Sequence, residues 1–419
     1  MALTGRLWKT TQAELAMTTT RTCVTTHFIL LTLASVYAAA DDYRDERIEM
    51  VEVAVAREGI TNRSVLQALL KVPRHEFVPS SLHKEAYIDK ALPIGFQQTI
   101  SPPFIVAYMT ESLDPQPTDR ILEIGTGSGY QAAVLGEICK EVYSIEIVPQ
   151  LGRTAKRRLD KLGYDNVHTK IGDGYKGWPE HAPFDGIIVT CSPESVPQPL
   201  VDQLREGGRM IIPLGERYQQ VFYLFEKRDG RLRPTKLVPT LFVPMTGDAE
   251  ERRVKQPDGS QPEVVNGSFE IDENNDGRAD NWHYQRQVER VSDESRDGTF
   301  SLKFTNDELG RPGQVLQGLA LDGRRVAFVN ISVDVKVDQV TPGSKSHERP
   351  AMVIHFYDKV RRSLGEGIVG PWLRRSDWER VGRRIPVPPA TREAIVRIGL
   401  NGATGVMSVD DLKLSFVPK

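Results

Sequence analysis

Leu122-Glu123-Ile124-Gly125-Thr126-Gly127-Ser128-Gly129 decides the fold. A short apolar run ends in a glycine loop, and a stretch with helical spacing follows it. In that arrangement backbone can approach a nucleotide-like ligand closely. The dinucleotide pattern GxGxxG is not met, because position 130 is Tyr and the loop reads GxGxG. Glu123 stands two residues before Gly125, and a carboxylate there disfavours a pyrophosphate but suits an ammonium or sulfonium group. Glu146 ends the next apolar run, where an acid accepts hydrogen bonds from both ribose hydroxyls. Asp173-Gly174 ends the third, where an adenine amine needs an acceptor. Three acids at three successive strand ends fit S-adenosyl-L-methionine better than a dinucleotide. The plainer alternative makes each one a helix cap or a solvated loop residue.

Outward from this loop, strands and helices alternate. RILEIG (120–125), EVYSIE (141–146), NVHTKIG (166–172), FDGIIVT (184–190) and GRMIIPLG (208–215) are short apolar or β-branched runs. Segments near 130–138, 149–162 and 196–206 fit crossover helices. Upstream, residues 43–58 carry Ile48, Val51 and Val55 at helical spacing before Gly59, and 62–71 and FIVAYMTESL after Pro102-Pro103 also read as helices. This alternation predicts a parallel, doubly wound, Rossmann-like α/β sheet covered on both faces. QQVFYLFEK and KLVPTLFVP, flanking Asp229-Gly230, add an antiparallel pair.

Residues 248–263 are polar and carry Pro and Gly without periodicity, which predicts a linker between a domain over 41–247 and a second over 264–419. In the second, TFSLKF, RVAFVNISVDVKV, PAMVIHFYD, ERVGRRIPV, EAIVRIGL and VMSVDDLKLSF recur between turn signals, the pattern of an all-β sandwich.

Composition narrows the function classes. In 419 residues, 39% are apolar and 26% charged, as in a globular chain. The balance of 54 basic and 56 acidic side chains gives a net charge of −2, so overall charge makes no case for nucleic acid as a partner. Three cysteines without a CxxC or Cys/His cluster exclude a disulfide scaffold and a zinc site. The histidines are dispersed, without ligand spacing. No apolar run reaches the ~18 residues of a membrane span. HFILLTLASVY (27–37), with Arg21 upstream and Ala38-Ala39-Ala40 before Asp41, has the layout of a signal peptide over residues 1–40, of ordinary length if the start is Met17. It predicts a periplasmic or extracellular protein without a membrane span in its mature chain. If the signal is misread, the location is cytoplasmic.

ALPIGFQQTISPP (91–103), ILEIGTGSGYQ (121–131), IGDG (171–174) and FVPMTG (242–247) resemble, in order, the motifs of protein-L-isoaspartate O-methyltransferases. The glycine loop alone marks any class I methyltransferase, whereas GFQQTIS is far more specific. The resemblance covers about residues 43–247. It implies transfer of a methyl group from S-adenosyl-L-methionine to the free α-carboxylate of L-isoaspartyl residues in damaged proteins and peptides, the partners of such an enzyme, with repair through a succinimide. Gly95, Phe96, Gln97, Glu123, Gly125, Gly127, Gly129, Glu146, Asp173 and Gly174 match the cofactor pocket, Thr99 the acceptor site, and Ser101 the family's active-site serine. Ser101 is expected to hydrogen-bond the acceptor carboxylate, or alternatively to cap the helix that follows. Phe104 stands where the family has a polar aromatic residue or His.

An opening NGSFE (266–270) and a closing DDLKL (410–414) resemble jelly-roll modules of the carbohydrate-binding kind, which implies a jelly-roll sandwich and a sugar partner stacking on Trp282, Tyr284, Trp372 or Trp378. Packing in the sandwich core is the commoner use of such rings. Asp272, Asn274, Asp276 and Asp280 surround Gly277 at a calcium-loop-like spacing, but His283 stands where an EF-hand needs Glu. A structural Ca2+ site and a plain Asx/Gly turn both remain open. Two further readings stay beside the first: a methyltransferase acting on another carboxylate or a small molecule, and a non-catalytic binding protein whose Rossmann-like half is a relic.

Overall fold

The computed structural model describes residues 42–419. The signal-peptide reading of residues 1–40 lies outside them. Helix α1 (Arg44–Glu49) continues through one π-helical and one 3-10 turn to Gly59, and α2 (Arg63–Lys71) begins at Asn62, whose side chain caps the amides of Ser64 and Val65. A hairpin of β1 (Leu92–Gly95) and β2 (Gln98–Ile100) then leads into α3 (Pro103–Leu113).

The expected doubly wound half follows: β3 (Arg120–Ile124), α4 (Tyr130–Gly136), β4 (Glu141–Glu146), α5 (Pro149–Lys161), β5 (Val167–Ile171), β6 (Phe184–Val189), α6 (Gln198–Gln203), β7 (Leu204–Glu216), β8 (Gln219–Arg228) and β9 (Arg231–Thr240). They form one sheet in the order β5-β4-β3-β6-β7-β8-β9, parallel as far as β7 and antiparallel beyond it. The last strand starts five residues before the sequence pattern suggested. Asp229 and Gly230 both take positive φ in a tight turn, so pairing resumes at once through RLRPT, and FVPMT is left as a return segment across the sheet end.

Residues 247–263 are held to their surroundings. Helix α7 (Asp248–Glu251) begins with the Asp248 amide bonded to Asp173, and the buried Arg253 guanidinium donates to the Ser192 and Gly215 carbonyls. Gly259 accepts a hydrogen bond from the Asp322 amide.

The C-terminal half is a β-sandwich, as expected: β10 (His283–Arg286), β11 (Val288–Val291), β12 (Ser301–Asn306), β13 (Gln314–Ala320), β14 (Val326–Val337), β15 (Ala351–Tyr357), β16 (Ser363–Val369), β17 (Ser376–Pro386), β18 (Glu393–Gly399) and β19 (Gly405–Pro418). Two antiparallel sheets, β10-β13-β18-β15-β16 and β11-β12-β19-β14-β17, enclose one apolar cluster. The opening and closing motifs meet where the Leu412 amide donates to the Gly267 carbonyl.

Two expectations are corrected in this half. The acidic loop does not assemble a calcium site. Asp272 accepts from the amides of Asp276 and Gly277, Asp276 from that of Arg278, and Asp280 from that of Glu273 while also facing Lys236. Asn274 donates to Asp276. The carboxylates are consumed by backbone N–H groups and cations, and no group of three or more His, Cys, Asp or Glu among the described residues could hold a metal. The loop is an Asx/Gly turn. Of the four proposed stacking rings, Trp282 and Trp372 are buried in the sandwich core, with Trp282 Nε1–H bonded to the Asn266 carbonyl. Tyr284 is half-buried and packs against the other half's core, and Trp378 is half-buried on a surface strand.

From Tyr43 to Lys419 the chain is one compact unit. Among the described residues no helix is long and apolar enough to cross a membrane.

Candidate active site

Strand β3 has β4 on one side and β6 on the other, so crossovers leave it in both directions and open a crevice at the carboxyl ends of the strands. A cavity open to solvent occupies that crevice. Its floor is Gly125, Thr126, Gly127 and Ser128, its sides come from Ile145–Ile147, Gly174 and Thr190, and Gln98–Ser101 face Val243–Thr246 across it.

The glycine loop is locked in place. Gly125 donates to the Ile145 carbonyl, and the Thr190 hydroxyl bonds the Ile124 and Gly125 carbonyls. Gly125 has φ near +100°, and a Cβ there would lie 2.5 Å from Thr190 Oγ1. At Gly174 a Cβ would lie 2.3 Å from Ile124 Cγ2, so the third strand end closes onto the first only with glycine present.

The three strand-end acids are treated differently. Glu146 lines the cavity and is 5% exposed; one carboxylate oxygen accepts from the Gly127 amide at 2.7 Å and the other from Val148 at 2.8 Å. Burial pushes its pKa up against the opposing pull of those amides. Glu123 does not line the cavity. It is fully buried beneath the loop, where Ser144 donates to its Oε2, Oε1 has no partner among the described residues, and burial pushes the carboxyl up to about 8. Its link to the cavity runs through Ser144 to the Thr126 hydroxyl at 2.5 Å. Asp173 is a cap, accepting from the amides of Tyr175 and Asp248.

Thr99 and Ser101 both line the cavity. Helix α3 takes Pro102 as its N-cap without any side-chain cap bond, so Ser101 is not spent on capping. Its carbonyl accepts from the fully buried Arg74 at 2.7 Å. Gly95, Phe96, Gln97 and Gly129 are not brought to the cavity wall. Gly95–Gln97 form the tip of the β1–β2 hairpin, where Phe96 (φ 52°) and Gln97 (φ 63°) are the two residues of the turn and Phe96 is exposed. Gly129 starts α4 with a positive φ. Sequence reasoning missed Thr190, Cys191 and Val243–Thr246 on the wall. The strand end at Thr190 was visible in the pattern, but nothing in it marked the hydroxyl as the loop's anchor.

A family model for protein-L-isoaspartate(D-aspartate) O-methyltransferase matches residues 46–250. The protein-L-isoaspartate O-methyltransferase of Opitutus terrae is 50% identical over 220 residues, 52% of this chain and 94% of that protein. This chain belongs to that family. The corresponding protein of Gloeobacter violaceus is 51% identical over 198 residues, 47% of this chain and 97% of the relative. A solved structure of a protein-L-isoaspartate O-methyltransferase aligns at 25% identity with a TM-score of 0.45, covering 65% of this chain and 84% of that one.

Proposed function

We infer that residues 43–247 carry out S-adenosyl-L-methionine-dependent methylation of the α-carboxylate of L-isoaspartyl residues. The family membership carries this reading, and the site's own chemistry supports it. An open crevice at a topological switch point, lined by the glycine loop and by Glu146, suits a nucleoside ligand together with the end of an acceptor. The cofactor fits the residues present. Glu146 is a buried acid between two backbone amides, positioned for ribose hydroxyls, and Gly125, Gly127 and Gly174 line the same crevice.

When bound, S-adenosyl-L-methionine supplies an electrophilic methyl group on its sulfonium. The chain's own residues have little proton chemistry to do, because an isoaspartyl α-carboxylate is ionised at neutral pH. Their contribution is alignment and exclusion of water. Ser101 and Thr99, facing the return segment 243–246, are assigned to the acceptor side. Ser101 is a hydrogen-bond donor to the carboxylate and not a nucleophile, since none of its hydrogen bonds connects it to a base. The resulting ester has a better leaving group than a carboxylate, so ring closure to the succinimide and partial reopening to aspartate follow without further help from the protein.

Tritiated cofactor and paired peptides differing only in isoaspartate against aspartate test the assignment. Label in the isoaspartyl peptide alone, lost in Glu146→Ala, is the expected result. Label in neither peptide despite cofactor binding would overturn the acceptor and favour another carboxylate or a small molecule. Absence of cofactor binding would leave a relic. The leader at 27–40 supports export of the enzyme, and fractionation of the native host decides it: activity confined to the cytoplasm contradicts export. Of the four rings, Tyr284 and Trp378 are half-buried, and only Trp378 stands clear of the other half's core for sugar recognition; the activity proposed here does not require it.

A further inference from the structure

Arg286, on the sandwich strand β10, reaches out of its own half. Its guanidinium lies 3.1 Å from Glu58 and 2.9 Å from Asp89 and stacks 3.8 Å above the ring of Phe104. Its side chain is 9% exposed and that of Asp89 10%, so this is a buried pair. Arg311 at 2.6 Å and Gln287 at 2.9 Å, also from the sandwich, satisfy the other oxygen of Glu58.

Asp89 passes the contact on. Its second oxygen accepts the Phe104 amide at 2.9 Å, in the first turn of α3 and three residues after Ser101. The loop of cavity residues 98–101 is therefore clamped twice. Arg74 holds the Ser101 carbonyl from within the methyltransferase half, and Arg286 holds the Phe104 amide through Asp89. Without Arg286, Asp89 would lose its contact ion pair and keep only the more distant charge of Arg74, which favours uptake of a proton or movement toward water. Either response weakens its hold on the amide.

We propose that Arg286 is a positioning residue for methyl transfer: the sandwich supplies the cation that fixes the acceptor-side loop, so the matched region 46–250 depends on a side chain outside it. The inference rests on the assignment of Thr99 and Ser101 to the acceptor side. Phe104 then has a role as the apolar platform for that guanidinium.

The test uses the full chain with Arg286→Ala, Arg286→Lys and Asp89→Asn. It reads kcat and KM for the isoaspartyl peptide, cofactor affinity by calorimetry, and amide deuterium exchange over residues 98–108 and 120–146. Arg286→Ala and Asp89→Asn should each lower kcat/KM for the peptide by about 10- to 100-fold, the scale of a displaced reacting group. Cofactor affinity should stay within about twofold, as for a distant site. Exchange should rise in 98–108 and not in 120–146, and Arg286→Lys, which keeps the charge, should recover part of the rate. Unchanged kcat/KM with unchanged exchange in 98–108 overturns the proposal, as does an equal rise across both segments, which would make Arg286 a general stabiliser. If Arg286→Ala does not fold, Arg286→Gln carries the same readings. A wild type that labels no isoaspartyl peptide counts against the acceptor assignment, and the exchange data then decide the positioning role alone.

Discussion

Both halves of the molecule place acids, asparagines and glycines in short loops, and the two sets of loops do opposite things. At 122–129 and 146 the backbone is anchored by Thr190, against which Gly125 leaves no room for a Cβ, and a buried carboxylate borders a cavity. At 266–282 the same residue types fold onto themselves. Asn266 bonds the backbone of Ile271 and Asp280, Asp272 takes two amides of its own turn, and Trp282 plugs the core beneath. Residue type and spacing announce a polar loop. What the loop encloses depends on where the neighbouring strands leave space.

The contrast can be broken most directly at Glu146. Glu146→Ala removes the acceptor of two amides at the cavity, and a loss of about 100-fold or more in cofactor affinity by calorimetry is expected, from a buried charged hydrogen-bonding group. Retained affinity would move ribose recognition elsewhere. In the sandwich half, Trp282→Ala should cost about 3–5 kcal/mol of unfolding free energy, the range for a large aromatic removed from a core. A surface-like loss, read by chemical denaturation, would mean that the ring is not core.

Glu123 sharpens the comparison within the first half. A carboxyl raised by burial to about 8 binds its proton more tightly when folded. Its contribution is intact below the unfolded pKa of about 4.3 and is lost as pH rises toward about 8. The melting temperature should therefore decline from pH 5 to pH 8, and Glu123→Gln should flatten that slope; parallel slopes would show that Glu123 is ionised in the fold. Smallest of all, Gln97→Gly relieves a positive φ in the hairpin turn and should stabilise by about 0.5–1 kcal/mol. Chelation of calcium should leave the melting temperature unchanged.

The doubly wound half was legible because apolar runs bounded by glycine and acid carry both the strand period and the strand ends. Of the strand-end acids, only Glu146 reaches the cavity. Spacing placed all three at strand ends, whereas side-chain direction depends on Ser144, on Thr126 and on α7 closing over Asp173. In the sandwich, two of the four missed strands have particular causes. Strand β13 carries the buried Gln317, satisfied by Val265 and Asn281, so its apolar alternation breaks. Strand β16, SLGEGIV, is an edge strand with two glycines and a weak strand signal. The Arg286–Asp89 contact joins residues 197 positions apart, and no local pattern encodes such a pairing.

The central claim is that this chain methylates isoaspartyl carboxylates and so starts their repair. Chromatography with mass spectrometry, following one isoaspartyl peptide over time with the purified chain, tests it most directly. The isoaspartyl peptide should be consumed through a methyl ester and a succinimide, with normal aspartyl peptide accumulating only when S-adenosyl-L-methionine is present. An isoaspartyl peptide that persists unmethylated, or a methyl ester forming equally on the aspartyl control, would contradict it.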